Sequence, residues 1–117
     1  MNLLSSLFGS PLPSVNATDL NEKLKNGKRS LVVDVRQPEE YTAGHIAGSK
    51  LIPLGELNKR VNELPKDKEI ICVCASGSRS QSATKFLVDA GYNAFNMQGG
   101  MFMWQRAKLP IKKGNAS

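Results

Sequence analysis

Cys74 is the residue with the clearest capacity for chemistry in this sequence of 117 residues. It follows an apolar run at 69–73 and opens the small-residue loop Cys74-Ala75-Ser76-Gly77-Ser78-Arg79. A helix is predicted to begin at about Arg79, so the loop amides and the helix N-terminus would form a cradle for an anion. Such surroundings lower the pKa of a thiol, and Arg79 adds a fixed positive charge. The pattern therefore indicates a reactive thiolate that would also be stable as a negatively charged persulfide.

A second cysteine, Cys72, is separated from Cys74 only by Val73. In an extended strand both side chains point to the same face, and a disulfide between them would need strained geometry. Because Ile71 and Val73 flank it, Cys72 is expected to be a buried structural thiol with a raised pKa. Two free thiols without Cys-x-x-Cys metal-ligand spacing favour a reducing compartment, and the cytoplasm is the default expectation.

Strands that alternate with helices must position the cysteine loop. Strands are predicted at 14–15, 31–35, 50–52, 69–73 and 94–97. The runs at 31–35 and 69–73 are almost continuously apolar and rich in β-branched residues, which is typical of central strands in a parallel sheet covered on both faces. The order of elements therefore predicts an α/β fold with right-handed crossovers.

The helices are predicted from apolar spacing and from capping residues. Thr18 is the candidate N-cap of the first helix, and apolar residues recur at helical spacing over 54–64 before a proline. Residues 78–81 have the form of a capping box at the start of the helix that follows the cysteine loop. A last short helix is predicted at 101–106.

One domain accounts for most of the chain, with an N-terminal arm at 1–13, a folded domain at 14–111 and a loose C-terminal tail at 112–117. No apolar run reaches the roughly 20 residues that span a bilayer, so we expect no membrane association. The net charge is +6, but the basic residues are scattered and no aromatic residues interleave with them. This charge favours the attraction of small anions over nucleic-acid binding.

Three segments, in order, resemble the signatures of the rhodanese family of thiosulfate:acceptor sulfurtransferases. Residues 34–49, followed by Ile52-Pro53, resemble the opening signature of the family. The loop at 74–79 with Ser80 resembles its active loop, and 99–104 resembles its closing G-G-x-x-x-W. The resemblance covers about residues 15–110 and identifies a single-domain rhodanese. It implies a three-layer α/β fold, with a central, mainly parallel five-stranded sheet and helices on both faces.

The resemblance also implies a mechanism. Cys74 would take sulfane sulfur from thiosulfate or another persulfide donor and pass it to cyanide or to a thiol such as thioredoxin or glutathione. The loop amides would hold the persulfide, Arg79 would orient an anionic donor, and Arg36 would either line the pocket rim or anchor a loop through an ion pair. The implied substrate-binding residues are Ala75, Ser76, Gly77, Ser78, Arg79 and Arg36. No metal or organic cofactor is implied, and we expect a monomer.

Other signature residues receive structural roles from the same resemblance. His45 is the only histidine in the chain. The resemblance places it in a turn where the imidazole bonds to backbone, so we do not assign it as a base for Cys74. Asp34 would be structural, Gly99 and Gly100 would permit a tight turn, and Trp104 would fill the core.

Two further functions stay open on the sequence. The first is a sulfur-carrying or regulatory binding module with little turnover on thiosulfate. The second is a phosphatase or an arsenate reductase. Only four residues separate Cys74 from Arg79, whereas related phosphatases on this fold have a longer loop. The tighter ring favours a sulfur atom over a phosphate group, by family analogy.

Overall fold

The structure of the protein is a computed structural model, and it describes residues 12–27 and 29–117. Within these residues the strands are β1 (Ser14–Val15), β2 (Ser30–Asp34), β3 (Lys50–Leu51), β4 (Glu69–Val73) and β5 (Asn93–Met97). They form one five-stranded sheet in the order β1-β5-β4-β2-β3, in which every neighbouring pair is parallel. The predicted α/β sheet is confirmed. Most of the predicted N-terminal arm lies outside the described residues.

Helices cover both faces of this sheet. In the part of the chain that the structure describes, the α-helices are α1 (Ala17–Asn26), α2 (Pro38–Ala43), α3 (Leu57–Arg60), α4 (Ser78–Asp89) and α5 (Gly100–Arg106). The core has two halves, one on each side of the sheet. Leu57, Ala83 and Leu87 from α3 and α4 pack on one face, while Leu20 and Trp104 from α1 and α5 pack on the other.

Strand β4 runs through the middle of both halves of the core. Ile70 and Cys72 belong to the cluster beneath α4, and Ile71 and Val73 belong to the cluster beneath α1 and α5. Side chains alternate between faces because successive residues of a strand point in opposite directions. Cys74 joins the α4 cluster together with Cys72, so the predicted common orientation of the two cysteines is confirmed.

Two predicted helix details are wrong. The N-cap of α1 is Asn16 instead of Thr18, since Asn16 Oδ1 accepts a 2.8 Å hydrogen bond from the Asp19 amide. The apolar pattern over 54–64 forms short 3₁₀ turns on either side of α3 instead of one α-helix. The Val61 carbonyl accepts a 3.0 Å hydrogen bond from the Leu64 amide, because Pro65 has no N–H for the α-helical bond. The Tyr92 hydroxyl also donates to this carbonyl, at 2.9 Å.

The C-terminal segment 112–117 is not the loose tail that the sequence predicts. Lys112 pairs with His45 in an antiparallel bridge whose backbone hydrogen bonds measure 2.8 and 2.9 Å. The Gly114 amide donates to the Thr42 carbonyl at 2.9 Å, and the Ala116 carbonyl lies 2.8 Å from His45 Nε2. The tail is therefore fastened to the turn that follows α2. Among the described residues, no helix has the length and apolar character needed to cross a bilayer.

Candidate active site

The loop at 74–79 joins the end of the central strand β4 to the start of α4. Its turn depends on Gly77, which has φ 107°, a backbone conformation that side-chain-bearing residues rarely adopt. A Cβ at this position would also lie 3.3 Å from the Gly99 amide nitrogen. Ser76 and Ser78 face solvent, while Cys74 and Gly77 are buried. The loop thus curls over the cysteine and presents its serine side chains to the outside.

Hydrogen-bond donors converge on the sulfur of Cys74. The Gly77 amide lies 3.0 Å from Sγ. The Ser80 amide and the Ser80 hydroxyl each lie 3.3 Å from it. The side chain is fully buried, but the surrounding amides point toward the sulfur. Such an arrangement stabilises negative charge on the sulfur more than it stabilises a neutral thiol.

The two cysteines have pKa values that move in opposite directions. Burial by itself raises the pKa of Cys74. Hydrogen bonds from the Ser80 hydroxyl and from the amides of Ser80, Gly77 and Ser76 outweigh that effect, so the pKa lies below the ordinary thiol value. At Cys72, burial dominates and raises the pKa to about 12. The interpretation of Cys72 as a buried thiol with a raised pKa is confirmed, and the thiolate character of the pair resides at Cys74.

Helix α5 holds the loop from the other side. The Met101 amide donates to the Cys74 carbonyl at 2.7 Å, and the Phe102 amide donates to the Ala75 carbonyl at 2.9 Å. These first-turn N–H groups have no partner inside their own helix, so the loop carbonyls satisfy them. Gly100 has φ 59°, and a Cβ there would overlap the Cys74 carbonyl oxygen. Gly100, the first residue of α5, therefore allows the helix to approach the loop closely.

Arg79 is held at the edge of the loop by a carboxylate. Its Nη1 and Nη2 donate to the two oxygens of Glu40 at 2.8 and 2.9 Å. The hydrogen bond from Arg79 is the main reason that the pKa of Glu40 falls to about 2. The charge of Arg79 acts on Cys74, but two of its guanidinium nitrogens already bind Glu40. Donor orientation by Arg79 stays a prediction.

Arg36 lies in a buried ion pair and not at an exposed pocket rim. Its Nε and Nη2 donate to the Asp34 carboxylate at 2.9 and 2.8 Å. Nη2 also donates to the Gly44 carbonyl at 2.8 Å. Arg36 is 5% exposed and Asp34 is 1% exposed. Arg36 therefore anchors a loop, which is one of the two roles predicted from the sequence. The other predicted role, at the rim of the pocket, is wrong because the side chain is buried.

His45 is also structural. Its Nδ1 lies 2.9 Å from the Tyr41 carbonyl oxygen, and its ring stacks on the Tyr41 ring with the centroids 3.7 Å apart. The side chain is fully buried. Both ring nitrogens are engaged by backbone, since Nε2 faces the Ala116 carbonyl. The expectation that His45 bonds to backbone is confirmed.

The sequence assigns no role to Ser80, which contacts the sulfur, or to Asn96, which contacts Ser80. Ser80 touches Sγ through both its amide and its hydroxyl. It does not form the capping box predicted at 78–81, because the N-cap of α4 is Gly77 and no side chain caps the helix. The Ser80 hydroxyl instead lies 2.5 Å from Asn96 Oδ1. The signal for Asn96 was an amide side chain inside the otherwise apolar run 94–97.

Comparisons with known proteins show which family this chain resembles. The model of the Rhodanese-like domain family matches residues 16–107. A sulfurtransferase of Allochromatium vinosum is 34% identical over 98 residues, which cover 83% of this chain and 92% of that protein. Thiosulfate sulfurtransferase GlpE of Pseudoalteromonas translucida is 36% identical over 78 residues, or 66% of this chain and 74% of its own.

The same relationship is visible in three dimensions. The crystal structure of a rhodanese-related protein from Thermoplasma volcanium superposes with a TM-score of 0.81 and 38% sequence identity. The match covers 86% of this chain and 97% of that chain. The fold similarity and the extent of the family match agree. The chain belongs to the rhodanese-like family.

Proposed function

We propose that the protein is a sulfurtransferase that moves sulfane sulfur from thiosulfate, or from another persulfide donor, to a thiol or cyanide acceptor through Cys74. The observation that supports this most directly is the convergence of the Gly77 amide and of the Ser80 amide and hydroxyl on one sulfur atom. Preorganised donors of this kind stabilise charge without reorganising during the reaction. The names of the relatives support sulfur transfer as the class of reaction.

In the first half-reaction the Cys74 thiolate attacks the outer sulfur of thiosulfate. A new S–S bond forms to Cys74, and the bond between the outer sulfur and the sulfonate sulfur breaks. Sulfite departs with the electron pair of that bond, so one thiolate and one thiosulfate dianion give one persulfide anion and one sulfite dianion. The charge on the terminal sulfur of Cys74 lies where the loop amides can stabilise it.

In the second half-reaction an acceptor attacks that terminal sulfur. Cyanide gives thiocyanate, and a thiolate gives a new persulfide; in both cases the electron pair of the broken S–S bond returns to Cys74 as thiolate. The cycle consumes no oxidant and needs a free thiolate at its start. Thioredoxin and glutathione are the proposed kinds of thiol acceptor, and a reducing compartment such as the cytoplasm is the proposed location.

The donor must reach a sulfur that is fully buried in the structure. Ser76 and Ser78 form the exposed outer side of the loop, so we infer that the loop moves outward slightly before thiosulfate attack. The net charge of +6 favours the approach of a dianion. The positive charge of Arg79, which interacts electrostatically with Cys74, acts in the same direction.

The experiment is an intact-mass measurement of the protein after treatment with thiosulfate. We expect a gain of about 32 Da on Cys74 that a reductant reverses, and release of thiocyanate when cyanide is added. Cys72→Ser serves as the matched control, because this second cysteine is buried on the same face. An adduct that forms without acceptor turnover would instead favour a sulfur carrier. No adduct with thiosulfate or other persulfide donors would contradict the proposal.

A further inference from the structure

Ser80 and Asn96 form a buried polar pair behind the Cys74 sulfur. Ser80 is 0% exposed and Asn96 is 5% exposed. The Ser80 Oγ lies 2.5 Å from Asn96 Oδ1, 3.1 Å from the Gly77 carbonyl oxygen and 3.3 Å from the sulfur. Asn96 belongs to β5, between Phe95 and Met97. Burying a polar side chain is costly unless it is hydrogen-bonded, and Ser80 is the partner of Asn96. The question is which of the two side chains donates this hydrogen bond.

The Ser80 hydroxyl has a single proton and more than one acceptor within reach. When Asn96 presents its carbonyl oxygen, the Ser80 hydroxyl donates its hydrogen bond to that oxygen. A neutral Cys74 thiol can then donate a hydrogen bond to the Ser80 Oγ. The hydrogen bonds then run from the sulfur toward the amide. A thiolate has no proton to donate, so it can only accept a hydrogen bond, and the Ser80 hydroxyl must then donate to the sulfur instead of to Asn96.

Rotation of the Asn96 carboxamide resolves this conflict. The side-chain amide carries an acceptor on one arm and two donor hydrogens on the other. When the NH₂ group faces Ser80, it donates to Oγ, and the hydroxyl proton is free to point at the sulfur. The same three residues then form a chain of hydrogen bonds that runs from the amide toward the sulfur.

We propose that Asn96 is a positioning residue that sets the direction of the Ser80 hydroxyl, and that the hydrogen bonds of the Ser80–Asn96 pair reverse when Cys74 becomes negatively charged. Ser80 touches the reacting sulfur and is the donor, whereas Asn96 acts through it. The inference rests on the proposed function because it takes Cys74 as the group that bears the charge. Within residues 12–27 and 29–117, the titratable groups that interact electrostatically with Cys74 include Arg79 in α4 and Cys72 in β4.

The test measures the rate at which iodoacetamide alkylates Cys74 across a range of pH, with intact mass to count adducts and with Cys72→Ser as the background. Because the thiolate is the reactive form, the rate follows the thiolate fraction. Ser80→Ala removes one hydrogen bond to the charged sulfur, so we expect the thiolate fraction at a pH below the midpoint to fall about tenfold. Ser80→Thr keeps the hydroxyl and should restore most of the loss.

Asn96 is tested through its coupling to Ser80. Asn96→Leu should lower the thiolate fraction when Ser80 is present and should have almost no further effect in a Ser80→Ala background, since both changes remove the same interaction. Asn96→Asp can only accept a hydrogen bond at neutral pH, so it should hold the hydroxyl proton and lower the thiolate fraction at least as much as Ser80→Ala. Far-UV circular dichroism checks that each variant is folded. If Asn96→Asp does not fold, the double-mutant cycle of Ser80→Ala and Asn96→Leu tests the proposal without it.

Two results would overturn the proposal. One is an unchanged alkylation profile in Ser80→Ala. The other is an effect of Asn96→Leu that is equal with and without the Ser80 hydroxyl, because this would make Asn96 a packing residue only. Alkylation needs no sulfur donor. A wild-type protein that iodoacetamide alkylates but that never accepts sulfur would contradict the proposed function, and the test of the Ser80–Asn96 pair could still be interpreted.

Discussion

Glu40 and Arg79 form a two-pronged ion pair between helix α2 and the first turn of α4, with nitrogen–oxygen distances of 2.8 and 2.9 Å. The carboxylate also accepts a 2.9 Å hydrogen bond from the Gln37 amide at the start of α2. One side chain therefore ties the N-terminus of its own helix to the edge of the cysteine loop. The pair is partly exposed, with side-chain exposures of 35% for Arg79 and 32% for Glu40.

Replacing Glu40 should weaken the fold in a pH-dependent way. In the folded protein the pKa of Glu40 falls from 4.5 to about 2, so its contribution to stability is complete above pH 4.5 and is lost as the pH falls toward 2. Since solvent screens a pair of this exposure, we expect Glu40→Gln to lower the free energy of unfolding at pH 7 by about 0.5–1 kcal/mol. The difference from wild type should shrink by pH 3, as measured by urea unfolding at the two pH values.

The matched control for Glu40 is Asp89→Asn, which breaks the Lys85–Asp89 pair on the exposed face of α4. That pair joins residues of one helix and no second element, so its loss should change stability less. A Glu40→Gln difference that stays constant between pH 7 and pH 3 would show that the carboxylate charge is not responsible.

The two cysteines should behave differently when each is replaced. Cys74→Ser should abolish thiocyanate formation from thiosulfate and cyanide, because the hydroxyl is a much weaker nucleophile at neutral pH. Cys72→Ser should keep most of the activity, because its pKa of about 12 leaves it protonated. A colorimetric thiocyanate assay on both variants checks this. Full activity in Cys74→Ser would remove Cys74 from the mechanism.

The lowered pKa of Cys74 has a direct kinetic consequence. Wild-type alkylation by iodoacetamide should reach its plateau at a lower pH than that of a free cysteine thiol, whose pKa is about 8.5. The cause is the hydrogen bonds from Ser80, Gly77 and Ser76, which outweigh burial. The measurement compares the alkylation rate of the protein with that of glutathione over the same pH values. A plateau that comes at a higher pH than for glutathione would mean that burial dominates instead.

Gly100→Ala should damage both stability and activity. Its φ of 59° already disfavours a side chain, and the added Cβ would overlap the Cys74 carbonyl oxygen. Gly48→Ala is the control, because Gly48 has φ 83° but no atom within 4 Å of the added Cβ. We expect the control to cost about 1 kcal/mol of unfolding free energy and Gly100→Ala to cost roughly 2 kcal/mol or more.

Activity separates the same two glycine variants further. Gly48→Ala should retain thiocyanate formation, whereas Gly100→Ala should lose most of it because α5 can no longer seat against the loop. Urea unfolding and the thiocyanate assay on both proteins provide the comparison. Equal losses in the two variants would mean that only backbone strain matters at residue 100.

Local signals in the sequence were sufficient for the sheet and for the cysteine whose pKa is lowered. The β-branched runs of β2 and β4 predict central strands because their pattern reflects burial on both faces. The loop after β4 predicts a thiolate because its chemistry comes from amides adjacent in the chain. The resemblance to the rhodanese family added the expectation of a five-stranded sheet, which the structure confirms.

What the sequence did not predict depends on contacts between distant residues. Glu40 and Arg79 are 39 residues apart, and Ser80 and Asn96 are 16 residues apart, so neither pair has a local pattern. Asn16 displaced Thr18 as a cap because both residue types suit that position, and only the backbone angles decide between them. The helix expected over 54–64 is limited to α3 with a 3₁₀ turn on each side, and the second turn ends before Pro65, which has no N–H to give to the Val61 carbonyl.

The hydrogen bonds from α5 to the loop at 74–79 come from the main-chain amides of Met101 and Phe102. Such a contact does not depend on which side chain the residue carries, and Phe102 is 63% exposed. Nearly any amino acid at position 102 can therefore make this contact, and the loop at 74–79 keeps its shape. Proline is the exception, because it has no N–H to give to the Ala75 carbonyl. Sequence variability at this position would thus hide a contact on which the shape of the sulfur pocket depends.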